Sequence, residues 1–145
     1  MSPVPTPADV FRRHPRPPAP ARSPLAPEPH DPATDEPYRA LWERGIVATR
    51  LIPHTRFVAL ALATHAEWAT GRIPEDAQPR LGRLVDLTGL DAGLVVVSLN
   101  ILESRGWIRR DAKSRRWTVA TIRLSVPGPI MRRLKKSGAQ TPVRT

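Results

Sequence analysis

The chain has 145 residues, 23 Lys+Arg against 13 Asp+Glu for a net charge of +10, 18 Pro and no Cys. That length allows one ordinary domain, or a small domain with a tail, and the lack of Cys excludes both a disulfide scaffold and a thiolate metal site. The longest apolar run, Phe57 to Ala63, is seven residues, far short of the ~18 expected of a membrane-spanning helix. The opening Met1-Ser2-Pro3-Val4-Pro5 has no apolar core for export, so the expectation is a cytoplasmic protein with no membrane contact.

The charge is unevenly placed. Residues 1–37 hold four basic and five acidic residues, 38–104 seven of each, and 105–145 twelve basic residues against Asp111 alone. GC-rich codon usage accounts for 20 of the 23 basic residues being Arg. It does not account for the asymmetry, which reads as the footprint of an anionic partner.

Twelve of the 18 prolines fall in the first 37 positions, among small and charged residues with few apolar side chains. Such a segment buries too little to offset its ordering entropy, so residues 1–36 read as a disordered, Pro-rich arm. Within it, 12–18 (Arg-Arg-His-Pro-Arg-Pro-Pro) reads as linker before it reads as a docking motif or phosphate contact.

Asp35-Glu36-Pro37 predicts a helix start, with Tyr38, Leu41 and Trp42 on one side and Gly45 as its stop. A second helix is expected from Pro53 to Trp68, with Phe57, Leu60, Ala61, Thr64 and Trp68 on its stripe and Gly71 ending it. Arg72-Ile73-Pro74 then suits one short strand. Pro79 reopens helix over 80–87, Thr88-Gly89-Leu90 makes a turn, and Asp91 caps a longer helix running to Arg105, which Gly106 stops. Trp107 to Arg110 and Arg116 to Val119 read as hairpin strands around the polar turn 111–115. A further extended stretch from Thr121 to Val126 follows a bend near Ala120. Pro127-Gly128-Pro129 ends the sheet, and Pro129 to Lys136 suits a short basic helix. The expected organisation is therefore the arm at 1–36, a mainly α domain with a small β-hairpin at 37–127, and a basic C-terminal tail at 128–145.

Helix, short strand, helix, three-residue turn, helix and β-hairpin is the order of a winged helix-turn-helix. Gly89 permits the tight turn, Leu84 and Leu90 bury on either side of it, and Val95, Leu99 and Leu102 anchor the second helix. The segments Ile52 to Ala63, Leu84 to Leu90, and Leu102 to Ile108 resemble the winged helix-turn-helix domains of actinobacterial, phage and plasmid regulators and replication initiators, over roughly residues 50–120. The resemblance implies that the 91–105 helix enters the major groove of duplex DNA and that the 107–119 hairpin lies along the backbone or minor groove.

The residues expected to contact DNA are Arg80 and Arg83 before the turn, and Ser98 and Asn100 on the 91–105 helix. Arg109, Arg110, Lys113, Arg115 and Arg116 follow on the hairpin, and Arg132, Arg133, Lys135 and Lys136 on the tail. The 91–105 helix itself has no basic residue between 91 and 104, which weakens base readout and shifts the weight to phosphate contacts. Its Val95, Ser98, Leu99 and Leu102 form a core stripe. Leu94, Val97 and Ile101 form a second one, which calls for a cover from the 37–45 helix, the 121–126 strand, or another protein, a second copy included.

Catalysis finds no footing. His14, His30, His54 and His65 have no metal-ligand spacing, Gly82, Gly89 and Gly93 belong to no phosphate loop, and no nucleophile stands beside a base. The expectation is a DNA-binding protein, a transcriptional regulator or replication-associated factor on the nucleoid. No cofactor, metal or small-molecule ligand is anticipated. The competing reading is a protein adaptor using Leu94, Val97 and Ile101.

Overall fold

The structure, a computed structural model, describes residues 28–112 and 115–140. The 12–18 motif, residue Lys113 and most of the expected N-terminal arm lie outside that range. The described residues form five α-helices, one 3₁₀ turn and a two-stranded antiparallel sheet: α1 (Tyr38–Ala48), α2 (Pro53–Ala63), the 3₁₀ turn (Glu75–Ala77), α3 (Leu81–Thr88), α4 (Ala92–Ser104), β1 (Ile108–Arg110), β2 (Ile122–Leu124) and α5 (Gly128–Gln140).

Pro37 precedes α1 and offers no side-chain cap. Its first N–H groups are satisfied instead by the loop after α2, with Tyr38 N donating to the Ala69 carbonyl at 3.0 Å and Arg39 N to that of Trp68 at 3.1 Å. Gly45 does not end the helix. It lies within α1, where a Cβ would come 2.7 Å from Trp107 Cη2, so its small size is needed for close approach to an indole and not for a left-handed stop. Helix α2 starts with Pro53 in its first turn and ends at Ala63, not at Trp68. Thr64 Oγ1 donates to the Ala61 carbonyl at 2.7 Å and His65 Nδ1 hydrogen-bonds the same oxygen at 3.0 Å, so side chains occupy the acceptor the next turn would need.

The face that α2 buries also differs from the expected stripe. Thr55, Val58, Ala59, Leu62 and Ala63 are buried, while Phe57 and Trp68 are 48% and 54% exposed. Small residues win this face because α2 packs on α4, and helices approach closely where their side chains are short. Thr55 and Ser98 meet at this contact with their hydroxyls 3.4 Å apart.

Residues 72–74 form no strand. The Gln78 side chain takes over that role: its Nε2 donates to the carbonyls of Ile73 and Ile122, both at 3.0 Å, and its Oε1 accepts the Ile122 N–H at 2.8 Å. Helix α3 ends at Gly89 in the left-handed conformation, φ +69°. Asp91 caps α4, its Oδ1 accepting from Leu94 N at 2.9 Å, and Gly106, φ +83°, turns the chain into β1.

The hairpin pairs β1 with β2, not with 116–119, in the register Ile108↔Leu124, Arg109↔Arg123 and Arg110↔Ile122. Residues 117–119 form a turn, closed by Ala120 N donating to the Arg116 carbonyl at 2.9 Å. Trp117 and Val119 alternate like strand residues, but Trp117 is buried and Val119 exposed, because the Trp117 indole N–H is bonded to Asn100 of α4 at 2.9 Å. The extended stretch expected over 121–126 is thus the true partner of β1.

The core gathers Leu41, Trp42 and Ile46 of α1 with Val58, Leu62, Leu84, Leu99, Leu102 and Trp107. Trp42 Nε1 donates to the carbonyls of Trp107 and Ser125 at 2.9 and 3.0 Å, and its ring meets that of Trp107 edge-on at 6.2 Å. Helix α5 packs on α1 and contributes Met131 to this core.

Residues 28–36, expected to belong to the disordered arm, instead lie against α1 and α5. His30 meets the Tyr38 ring edge-on at 4.9 Å, Glu28 pairs with Arg132, and Lys135 pairs with Asp35 at 3.3 Å and donates to the Pro29 carbonyl at 3.0 Å. The local reason is an Asx-type turn: Asp31 Oδ1 accepts from Ala33 N, and Asp35 accepts from Asp31 N, each at 2.9 Å. Composition sees few apolar residues here and misses these polar contacts.

Candidate functional site

Successive residues of a strand face opposite sides, and that rule divides the arginines of β1. Arg110 points to the α4 side. Its Nε and Nη2 form a fork on Glu103, both distances 2.7 Å, its guanidinium stacks 4.2 Å from the Trp117 ring centre, and its Nη1 donates to the Arg115 carbonyl at 2.7 Å. The Glu103 fork raises Arg110 above its ordinary pKa despite partial desolvation. Trp117 in turn bonds Asn100 Oδ1, so Glu103, Arg110, Trp117 and Asn100 hold the hairpin loop down on α4.

This arrangement changes the role of several residues expected to contact DNA. Arg110 is committed to Glu103 and Trp117. Arg80 donates to the carbonyls of Val119 and Ala120 at 2.5 and 3.0 Å, tying the start of α3 to the hairpin loop. Ser98 is 1% exposed and its hydroxyl faces Thr55, so it belongs to the core and leaves the contact set. Asn100 remains exposed, with its carbonyl oxygen occupied and its amide N–H groups left to donate.

Among the described residues, Arg83, Arg116, Arg133 and Lys136 are exposed cations without an ion pair. Arg115 is exposed and pairs with Asp111 at 3.4 Å, a separation and exposure at which the pair is weak. Arg132 and Lys135 are engaged by Glu28 and Asp35. The fold thus brings Arg115 and Arg116 together on the hairpin loop and places Arg132 to Lys136 on a separate helix.

Among the described residues, the second stripe of α4 is covered only in part. Helix α1 packs on α2 and α5, and β2 pairs with β1, which leaves Leu94 37% and Val97 50% exposed while Ile101 is partly buried against the core.

Arg109 and Arg123 share the other face of the ladder, together with Arg72 from the loop after α2. Neither Arg72 nor Arg123 was expected to be functional. The signal was present: once Ile122-Arg123-Leu124 is paired with Ile108-Arg109-Arg110, the central arginines oppose each other. Misplacing the second strand at 116–119 hid it.

Among the described residues no group of three or more His, Asp or Glu is placed to hold a metal ion, and no single helix is long and apolar enough to cross a membrane. Comparison with family models, with curated proteins and with solved structures finds no match for this chain.

Proposed function

We propose that the chain is a DNA-binding protein, a transcriptional regulator or replication-associated factor of winged helix-turn-helix type, acting in the cytoplasm on the nucleoid. The observation that carries this reading is the α3–turn–α4 unit. The two helices cross at 108° around Gly89, within the ~90–120° of a DNA-reading pair, and the basic hairpin follows α4 directly. In this reading α4 lies at the major groove and offers the Asn100 amide as its main polar group. Affinity then comes chiefly from phosphate contacts by Arg83, Arg115, Arg116, Arg133 and Lys136, giving binding that is tolerant of sequence.

The test is fluorescence anisotropy of the full chain on duplex DNA at rising salt. Because Met131 is a core residue, α5 is probed by charge substitution and not by truncation. Five such phosphate contacts lower affinity by about 500-fold between about 50 and 200 mM salt. Arg116→Ala combined with Arg133→Ala reduces the slope by about 2. Anisotropy that stays flat at low salt overturns the reading.

The exposure of Leu94 and Val97 favours a second reading, a protein adaptor or homodimer that covers this stripe. Val97→Asp with Ile101→Lys separates the two. Loss of a partner or of dimer formation, with duplex affinity kept, supports the adaptor.

A further inference from the structure

The ladder face opposite Arg110 looks onto an open cavity of about 490 Å³, bounded by the sheet, the 70–75 loop and the start of α1. That volume suits a small ligand. Three arginines line it, Arg72, Arg109 and Arg123, with Glu75 as the one acidic residue among its lining residues. None of the three has an ion pair among the described residues.

Two features make this more than a solvated basic surface. The first is the register. Asp111 N donates to the Thr121 carbonyl and Ser125 N to that of Trp107, so alternation along the ladder makes Arg109↔Arg123 a hydrogen-bonded pair with Cα atoms ~5.5 Å apart. Like charges opposed at that spacing destabilise a sheet, and an anion between them reverses the sign. The second is the floor. Ser125, also lining the cavity, is buried with its Oγ lacking any hydrogen-bond partner among the described residues, a group that folded proteins normally satisfy.

Tyr38 completes the wall. Its Oη accepts the Val126 N–H at 3.0 Å, which leaves its own O–H to donate. Burial pushes its pKa up, against the opposing effects of the Val126 N–H and Arg109, so it stays neutral at pH 7. Gly71, at φ +68°, holds the loop so close that a Cβ there would run into the Tyr38 ring, which fixes the position of the neighbouring Arg72.

We propose that this cavity is a binding site for a phosphoryl group, held by Arg72, Arg109 and Arg123. Three guanidiniums against one carboxylate leave an excess of two positive charges, which matches a phosphoryl dianion better than a monocarboxylate. Arg forks also fit phosphoryl oxygens two at a time. The phosphoryl group comes either from a free phosphorylated small molecule or from a duplex backbone, and the test separates these sources.

Inorganic pyrophosphate is titrated into the full-length protein by calorimetry at about 150 mM salt, beside acetate at the same ionic strength. Pyrophosphate is expected to saturate one site and acetate not to. Arg72→Ala and Arg123→Ala each weaken pyrophosphate binding at least about tenfold, whereas Arg50→Ala and Arg105→Ala, which remove the same charge at exposed positions outside the cavity and outside the proposed duplex contacts, stay within about twofold. Arg123→Lys, which keeps the charge without the fork, falls between these limits and serves where Arg123→Ala does not fold. Absence of saturable binding, or equal weakening by all four alanine variants, overturns the proposal. A competing duplex that displaces pyrophosphate assigns the phosphoryl group to DNA; one that does not assigns it to a small molecule. Pyrophosphate binding needs no duplex, so the site stands or falls independently of the DNA-binding reading.

Discussion

Arg110 and Arg109 are neighbours in sequence, and the two faces of the β1–β2 ladder set them to different work. Arg110 is held by the Glu103 fork and the Trp117 ring and meets Ile122 across the ladder. Arg109 meets Arg123 and has no acidic partner among the described residues. One face therefore uses a guanidinium to assemble the fold, while the other concentrates like charge at some expense in stability. Net charge alone is a poor guide to availability: Arg110, held by Glu103, Trp117 and the Arg115 carbonyl, has its guanidinium engaged where Arg109, one residue away, has no ion pair among the described residues.

The largest effect should come from breaking the committed face. Glu103→Ala leaves a mostly buried Arg110 without its carboxylate and is expected to cost about 2–3 kcal/mol in chemical denaturation. Trp117→Phe keeps most of the ring and removes the bond to Asn100, a loss of about 1 kcal/mol. On the other face, Arg123→Ala removes a like-charge pair and should change stability by less than about 0.5 kcal/mol, with either no change or a gain. A loss there comparable to that of Glu103→Ala would erase the distinction between the faces.

The smallest effect concerns the contact between residues 28–36 and α5. The Asp31 N–H, against partial desolvation and with help from Lys135, holds the Asp35 carboxyl below its ordinary value. A depressed folded value means that the carboxylate's contribution is fully present above the unfolded pKa of 3.8 and disappears as pH falls through the lower folded one. Exchange of the Asp31 amide hydrogen should therefore accelerate, beyond its intrinsic pH dependence, only below about pH 4. The same acceleration at neutral pH would show that Asp35 does not hold this turn.

The α3–turn–α4 part of the fold was legible because its boundaries are written in single residues, whereas the expected ends of α1 at Gly45 and of α2 at Trp68 were not borne out. Asp91 caps α4, Gly89 and Gly106 adopt positive φ, and Val95, Leu99 and Leu102 recur on the face that is buried. Where a residue's role depended on a distant partner, sequence reading failed. Gly45 answers to Trp107, Trp117 to Asn100, and the buried face of α2 to the close approach of α4. The candidate contacts fared likewise: Arg83, Arg116, Arg133 and Lys136 are exposed, but Ser98, Arg80 and Arg110 are held by groups 43, 39 to 40 and five to seven residues away, and no local pattern announces such partners.

Gln78 also settles how the two-stranded sheet ends. A strand with nothing beside it presents free N–H and C=O groups that template pairing with another chain. Here the amide of one side chain occupies both main-chain groups of Ile122 that point away from β1. The outer margin of β2 is closed to a third strand at its first residue, Ile122, so a single glutamine side chain stands where a pairing strand would have to dock.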